Sequence, residues 1–523
     1  MSQSSLNSVE LGLFSSRVAA ICEEMGALLG RVAFSPNIRD RLDYSCALFN
    51  GKGQLLGQAT HIPVHLGSMA YAMMDLVGSR DWRAGDMLIL NDPYKGGTHL
   101  PDITLVMPVF AHGGLVGFCA NRAHHADIGS DAPGSMPVSG TLAEEGLLIS
   151  PTLLMKDGIV DDVFLQSILK KLTSPDTSNG DFNAQIAANL LGAERLRNLV
   201  VASTPGEFAQ RENDLQHWAA KLAQQSLANI PAGCYEFEDC LDDDGHGQTD
   251  IAIKVTITID ADGIKVDFDG TAGQVAGNLN CPMPVTAAAV FYVFRCLMPA
   301  HMPACHGALQ GIELIAPKAC LVNAEFPAAV AAGNVETSSR IVDVVCGALA
   351  QALPGDFPAA SQGTMNNLAM GSRTGQGWDY YETLAGGMGA SADADGRSAR
   401  HSHMTNTLNT PVEVLELNYP LRINHYAIRR NSGGDGKFRG GDGVERQYRF
   451  LADAEVSLLT ERRRLPPWGL EGGRAGSCGL NELDGQVIPG KLCFNAVAGQ
   501  TLTINTPGGG GYGQRDGARI MES

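Results

Sequence analysis

Positive charge is scarce in this chain of 523 residues. Lys and Arg together number 38 against 56 Asp and Glu, which gives a formal net charge of −18 at neutral pH. Proteins that bind nucleic acids carry a basic surface, because they neutralise phosphate groups. The composition therefore argues against a nucleic-acid partner.

Long apolar runs and targeting features are also missing. The longest apolar stretch, residues 285–294, is followed by Arg295 and is well short of the roughly 20 residues that a membrane span needs. The N-terminus has no basic segment ahead of an apolar core, as a signal peptide would have. The 12 cysteines form no CxxC pair and are expected to be free thiols in a reducing compartment. We expect a cytoplasmic protein with no membrane role.

The usual nucleotide and calcium motifs are absent as well. The string TPGGGGYG at 506–513 is not followed by Lys-Ser or Lys-Thr, and no GxGxxG follows a clear strand to open a helix. Residues 242–247, DDDGHG, lack the later Glu of an EF-hand loop. We expect no nucleotide site in this chain and an exposed turn at 242–247.

Glycine, in contrast, is abundant. There are 62 glycines, well above the usual level of roughly 7%, which predicts tight turns and close backbone approaches. The length and the 44% of apolar residues are enough for several cores.

The apolar periodicity predicts an α+β, multidomain fold. It comprises a β-rich N-terminal unit at 1–150, a helical segment at 151–233, an α+β unit at 234–362 and a glycine-rich, mainly β unit at 363–523. The individual helices are predicted at 8–30, 160–172, 182–200, 207–229, 286–298 and 339–353. The clearest strands are predicted at 86–91, 103–110, 115–121, 249–260 and 264–269.

Two clusters of histidine and aspartate flank a predicted hairpin. The strands 103–110 and 115–121 are joined by a turn at Gly113-Gly114, so that paired residue numbers sum to about 226. His124 then lies opposite residues 101–103, near His99 and Asp102. Two imidazoles and one carboxylate are typical ligands of a catalytic divalent metal. The alternative is that these histidines are ordinary strand-end residues hydrogen-bonded to Asp102 and Asp127.

A second charged cluster lies nearer the N-terminus, where Asp40 and Asp43 alternate with Arg39 and Arg41. Such a cluster is most often a solvated network of ion pairs. Its functional interpretation is a general base positioned by the arginines. Asp43 directly precedes the largely apolar run YSCALF, which places it at the mouth of a strand.

Motifs from about residue 30 to 513 resemble those of the hydantoinase B/oxoprolinase family. The most specific is NDPYKGGTHLPD at 91–102, and the others are ADIG at 126–129, PGSMP at 133–137, GNVETS at 333–338, HMTNT at 403–407, PVEVLE at 411–416, FRGG at 438–441 and TPGGGGYG at 506–513. One departure is Ser130, where the family often has a second glycine. The resemblance covers nearly the whole chain.

The resemblance implies a B-type subunit of an ATP-dependent hydrolase that opens a hydantoin, 5-oxoproline or lactam ring. A separate A-type subunit would bind ATP and phosphorylate the small cyclic amide, in an A2B2-type hetero-oligomer. It further implies one divalent ion (Zn, Mn or Fe) on His99, Asp102 and His124. Asp43, or failing it Asp40, would be the base that activates water. We expect His125 and Asp127 to orient the ligands.

Three alternatives remain open. A subunit of an ATP-dependent ketone carboxylase, of the acetone or acetophenone type, would use the same metal. A mononuclear Fe(II) oxygenase also uses two His and one carboxylate, although its usual spacing is HxD and not HxxD. A scaffold subunit with structural histidines would hold no metal.

Overall fold

The computed structural model describes residues 8–373 and 377–515. Within these ranges it has a mixed arrangement of helices and four sheets, which confirms the α+β, multidomain prediction. No helix in the described ranges is long and apolar enough to cross a membrane. The α-helices are α1 Ser8–Val32, α2 Pro36–Arg39, α3 Pro63–Gly78, α4 Asp162–Leu169, α5 Pro175–Val201, α6 Pro205–Leu227, α7 Met283–Cys296, α8 Ser338–Ala352 and α9 Val412–Asn418.

The first sheet has seven antiparallel strands in the order β2-β1-β5-β4-β3-β6-β7. Its strands are β1 Tyr44–Asn50, β2 Leu55–Gln58, β3 Met87–Leu90, β4 Asp102–Ala111, β5 Gly114–His124, β6 Thr152–Lys156 and β7 Ile159–Val160. The predicted hairpin is confirmed as β4 and β5, and its turn contains Gly113 with a φ of 80°.

Apolar residues lie on both faces of this sheet. Cys46 and Leu48 of β1 pack in one core with α1 and α5, whereas Ala47 and Phe49 pack in a second core with α3. Successive side chains of a strand point to opposite faces, so β1 is apolar without alternation because both faces are covered. The sheet therefore holds its strand ends rigidly in the interior.

A second sheet, of four strands, has the order β11-β10-β9-β8. Its strands are β8 Gly233–Asp243, β9 Thr249–Asp260, β10 Gly263–Asp267 and β11 Ile312–Ile315. The alternation of buried and half-buried residues in β9 agrees with the half-exposed hairpin that the sequence predicts. The prediction of an exposed turn at 242–247 is wrong for Asp242 and Asp244, which are buried. Asp242 accepts hydrogen bonds from the backbone N–H groups of Arg463, Arg464 and Leu465.

The C-terminal strands form two antiparallel sheets, β13-β12-β16-β19 and β14-β15-β20-β17-β18. They are β12 Asn367–Ser372, β13 Trp378–Glu382, β14 Leu421–Arg429, β15 Gly443–Phe450, β16 Ala454–Leu459, β17 Leu480–Leu483, β18 Gln486–Ile488, β19 Lys491–Ala496 and β20 Thr501–Asn505.

Glycine strings fill the space beside these sheets. Gly509 donates its backbone N–H to Gly441 O at 2.9 Å, and Gly510 donates to Ala360 O at 2.8 Å. A Cβ atom on Gly510 would collide with the carbonyl oxygen of Trp468. Glycine is therefore needed here for close backbone packing.

Candidate metal centre

Three strand termini meet at one end of the seven-stranded sheet. Asp102, the first residue of β4, pairs with His124, the last residue of β5. The backbone N–H of His124 donates to the carbonyl oxygen of Asp43 at 3.0 Å, just before β1 begins. The antiparallel register therefore brings Asp43, Asp102 and His124 to the same edge.

His99, Asp102 and His124 converge in this interior, as the hairpin predicts. His99 Nε2 and His124 Nδ1 each lie 3.3 Å from Asp102 Oδ1. One ligand atom from each residue falls within 4.8 Å of the others. All three residues are buried. The convergence is confirmed, whereas the role of the three residues as ligands stays a prediction.

The two oxygens of Asp102 have different surroundings. Oδ2 accepts hydrogen bonds from Thr98 Oγ1 at 2.5 Å and Asn334 Nδ2 at 3.4 Å, and His65 Nε2 lies 3.2 Å away. Oδ1 has no hydrogen-bond partner within residues 8–373 and 377–515. The chain thus holds one oxygen of the carboxylate and leaves the other facing the two histidines.

The imidazole of His99 is oriented by the backbone. Its Nδ1 lies 3.2 Å from the carbonyl oxygen of Ala331, and a proton on Nδ1 leaves Nε2 with a free lone pair. Nε2 is buried and has no hydrogen-bond partner in the described part of the chain. A backbone carbonyl that fixes the tautomer of a histidine is common beside metal sites.

These observations fit a divalent metal ion. Buried polar atoms nearly always have a hydrogen-bond partner, yet His99 Nε2 and Asp102 Oδ1 have none in the described ranges and face one another. Imidazole nitrogen and carboxylate oxygen suit Zn, Mn or Fe. His99 Nε2, Asp102 Oδ1 and a ring nitrogen of His124 are the atoms that could hold the ion.

The electrostatics favour the charged form of Asp102, which is the form that binds a metal. Burial is the largest influence and disfavours its charged form, but the combined effect of His65, His99 and His124 outweighs it and holds the pKa of Asp102 well below its usual range. Burial lowers the pKa of His124, and the nearby carboxylate of Asp102 only partly offsets this effect. A charged carboxylate and a neutral imidazole are the forms that bind a metal, so these directions suit Asp102 and His124. The pKa of His99 is raised instead, because the carboxylate of Asp102 and other neighbours outweigh the effect of its burial.

Asp43 lies beside this cluster. It is buried, and its carboxylate lies 3.7 Å from Nη1 of Arg41. Together with His124, Tyr381 and other residues it lines a cavity of about 20 Å³. A cavity of this size holds about one water molecule. The structure therefore places Asp43 where it can reach a water next to the cluster.

Asp40 is not brought to the cluster. Both of its carboxylate oxygens accept hydrogen bonds from Arg39, each at 3.0 Å, and it is absent from the described lining of the cavity that contains Asp43. These contacts agree with the ion-pair interpretation for Asp40, and the general-base role of Asp43 or Asp40 stays a prediction.

His125 and Asp127 point elsewhere. Nε2 of His125 lies 2.9 Å from Gln185 Oε1. Asp127 Oδ2 accepts hydrogen bonds from the backbone N–H groups of Thr173 at 2.6 Å and Ser174 at 3.1 Å, at the start of α5. These contacts fasten α5 to the sheet and do not reach the three predicted ligands. The orienting contacts come from Thr98, Asn334, His65 and Ala331 instead.

Three residues of this region were not predicted as site residues from the sequence. His65 lies in the first turn of α3, two residues after Pro63, and Asn334 lies in the GNVETS motif. The ring of Tyr381 stacks on His124 with the centroids 4.5 Å apart. The motif was a signal for Asn334, but no local pattern pairs Tyr381 with His124, because they are far apart in sequence.

The family of the chain follows from its match to the family's sequence profile. The profile described as Hydantoinase B/oxoprolinase matches residues 7–515. The chain belongs to this family. The resemblance seen in the motifs is thereby confirmed.

Curated relatives share this similarity over almost the whole chain. An uncharacterised protein of Methanocaldococcus jannaschii is 40% identical over 99% of this chain and 93% of its own length. The 5-oxoprolinase of Dictyostelium discoideum is 38% identical over 98% of this chain but only 41% of its own length. A protein of Pseudomonas sp. named as one of the subunits of a D-/L-hydantoinase is 31% identical over 94% of this chain and 88% of its own. The chain thus spans about two fifths of that 5-oxoprolinase.

Solved structures share the fold. The ATP-dependent caprolactamase from Pseudomonas jessenii matches with a TM-score of 0.90 and 25% identity, over 98% of this chain and 92% of that chain. An acetone carboxylase matches with a TM-score of 0.85 and 20% identity, over 97% of this chain and 76% of that chain. The second likeness shows the fold alone.

Proposed function

We propose that this chain is the metal-dependent subunit of an ATP-dependent cyclic amide hydrolase. The observation that carries the proposal is the buried convergence of His99, Asp102 and His124 within 4.8 Å, with Asp43 in the adjoining cavity. The names of the relatives, 5-oxoprolinase and hydantoinase, support hydantoin, 5-oxoproline or a lactam as the substrate class.

A divalent ion held by His99, Asp102 and His124 supplies Lewis acidity beside the substrate carbonyl. Residues of the chain position the ligands and take the proton of the water. Asp102 and His99 keep their positions through Thr98 and the carbonyl of Ala331. Asp43 accepts a proton from the attacking water, which is the role of a general base. The ring opens to a linear amino acid or carbamoyl amino acid.

The activating step belongs to a partner in this proposal. An amide is a poor electrophile, because its nitrogen donates electrons into the carbonyl group. Phosphorylation of the carbonyl oxygen by an A-type, ATP-binding protein activates the carbonyl carbon and yields ADP, and phosphate is released when the phosphorylated species is hydrolysed. The Pseudomonas relative is named as one of several hydantoinase subunits, which supports such a division of labour. We propose an A2B2-type assembly in the cytoplasm.

The ketone carboxylase alternative is supported by the shared fold alone. The oxygenase alternative is disfavoured by the HxxD spacing of His99 and Asp102. A scaffold role leaves the unpartnered ligand atoms of the cluster unexplained.

Reconstitution tests the proposal. The chain is mixed with the A-type protein and ATP, and then with hydantoin, 5-oxoproline or a lactam in turn. We expect ring opening only with both proteins, coupled to ADP formation, and one divalent ion per chain by metal analysis, as a single three-ligand site implies. His124→Ala should lose the ion and the turnover. A metal-free chain with full activity, or ATP hydrolysis by this chain alone, would contradict the proposal.

A further inference from the structure

Asn334 lies on a single π-helical turn, Gly333–Thr337, that runs directly into α8. Such turns are frequent at functional sites. The turn is fixed in place, because Gly333 donates its N–H to Asn278 O at 2.9 Å and Thr337 Oγ1 donates to Leu279 O at 2.5 Å. The position of Asn334 is therefore set by the fold.

The side-chain amide of Asn334 has a hydrogen-bonded nitrogen and an oxygen without a hydrogen-bond partner in the described part of the chain. Its Nδ2 donates to Asp102 Oδ2 at 3.4 Å, which directs Oδ1 away from that carboxylate. Asn334 is only 2% exposed, and its Oδ1 has no hydrogen-bond partner among the residues that the structure describes. A buried, unpaired carbonyl oxygen is unfavourable, so a donor from outside the protein is expected at Oδ1.

Asn334 lines the cavity next to the candidate metal centre, together with Asp43 and His124. The space of about 20 Å³ suits one water molecule. Two residues that carry hydrogen-bond acceptors, Asn334 and Asp43, thus border a space for a molecule with two donor hydrogens.

We infer that Asn334 is a further catalytic residue, whose Oδ1 accepts a hydrogen bond from the attacking water and so orients it. The inference rests on the proposed function. One hydrogen of the water points to Asn334 Oδ1 and the other to the carboxylate of Asp43. A lone pair of the water oxygen is then free to face the substrate.

The step balances without any additional reactant. The water oxygen forms a bond to the activated carbonyl carbon while its O–H bond towards Asp43 breaks, and the π electrons between that carbon and the ring nitrogen move to the nitrogen. That proton passes to Asp43, and the remaining O–H stays hydrogen-bonded to Asn334. Asn334 itself gains and loses no proton, because an amide oxygen only accepts here.

The test compares Asn334→Ala with Thr98→Val. Both variants remove a hydrogen bond to Asp102 Oδ2, but only Asn334→Ala also removes the acceptor in the cavity. The complex with the A-type protein is assayed at a metal concentration that restores one ion per chain in both variants. Crystal structures of the metal-loaded wild type and of each variant show whether a water is ordered in the cavity.

We expect an ordered water within 3.2 Å of Asn334 Oδ1 in the wild type, a distance typical of hydrogen bonds. It should persist in Thr98→Val and disappear in Asn334→Ala. Asn334→Ala should lower kcat by about 10- to 100-fold, the size of one hydrogen bond to a charged or reacting group, with KM nearly unchanged. Thr98→Val should lower kcat much less.

Three results would overturn the inference. They are a wild-type structure with no water at Asn334 Oδ1, a kcat of Asn334→Ala close to that of the wild type at full metal loading, or an equal loss of kcat in Thr98→Val. The third would mean that Asn334 acts only through Asp102. If Asn334→Ala does not fold, Asn334→Ser replaces it. The wild-type crystal structure still shows whether a water is bound at Asn334 Oδ1.

Failure of the proposed function looks different. A wild-type complex that opens no cyclic amide would remove the reaction, whereas the crystal structures would still show whether Asn334 and Asp43 share a water.

Discussion

Two buried clusters of charged and polar residues in this protein are built in opposite ways. In the first, three carboxylates and three cations meet between the second sheet, α8 and the C-terminal sheets: Asp239, Asp343, Glu461, Arg340, Arg462 and Lys491. Nη2 of Arg462 lies 2.8 Å from Asp239 and 2.7 Å from Asp343, and Lys491 pairs with Glu461. The charges of this network cancel.

The second cluster is the candidate metal centre. It has one carboxylate, Asp102, and three imidazoles, and the atoms that face each other at 3.3 Å are an acceptor and two ring nitrogens. The network pairs its carboxylates with its cations, although Nε and Nη2 of Arg340 have no hydrogen-bond partner in the described part of the chain. The candidate metal centre leaves ligand atoms facing one another, and the proposed ion would complete it. The first cluster therefore serves folding, and the second is suited to binding.

The largest effect is expected at the metal centre. His99→Ala removes one of the three ligands, so the bound ion should fall from one per chain to nearly none, and the turnover with it. Metal analysis and the coupled assay measure both. The control is His112→Ala, which changes an exposed histidine at the turn of the same hairpin. The variant should stay folded by circular dichroism, and retention of the ion would remove His99 from the ligand set.

Removal of one charge from the first cluster should lower the free energy of unfolding. Glu461 accepts a hydrogen bond from the backbone of Asp242 at 2.8 Å and pairs with Lys491 and Arg340. Glu461→Ala leaves buried cations without their partner, and we expect a loss of about 3–5 kcal/mol in the free energy of unfolding. Denaturant titration measures it.

The matched control for Glu461→Ala is Glu445→Ala. Glu445 pairs with His425 at 3.8 Å with both side chains more than 40% exposed, and its loss should cost less than about 0.5 kcal/mol. Equal losses at the two positions would show that the network is no stronger than a surface pair.

The metal cluster could be predicted from sequence because local rules determine it. Strand alternation and the glycine turn set the register of β4 and β5, and that register places Asp102 opposite His124. Six of the helices were predicted for the same reason, with α5 beginning earlier than expected, at Pro175, whereas α2, α3 and α9 were not predicted. There Gly180 packs against the ring of Phe34, a tertiary contact that offsets the weak helix preference of glycine.

Contacts between distant segments could not be predicted in this way. The stack of Tyr381 on His124 and the contact between His65 and Asp102 join separate elements, and no single segment encodes them. The glycine strings illustrate the same limit. Gly113 has the positive φ of a turn, but Gly509 and Gly510 pack against other backbone segments, and composition alone does not separate these two uses.

A third prediction concerns the base. Asp43→Asn keeps the shape of the side chain but removes its ability to take a proton, so kcat should fall by about 10²- to 10⁴-fold. The ion should stay near one per chain, because Asp43 is not among the three ligands in this proposal. Loss of the ion together with the activity would instead make Asp43 a ligand and leave the base to be found elsewhere.

The smallest effect is expected at Asp40, which is the matched control for Asp43. Its carboxylate is engaged by Arg39, whose side chain is 42% exposed, so the pair is screened by solvent. Asp40→Asn should change the free energy of unfolding by less than about 0.5 kcal/mol and leave kcat and the metal content near those of the wild type. Both Asp residues precede the same strand, but only Asp43 faces the cavity. An inactive Asp40→Asn beside an active Asp43→Asn would reverse the assignment of the base and remove the link between that cavity and catalysis.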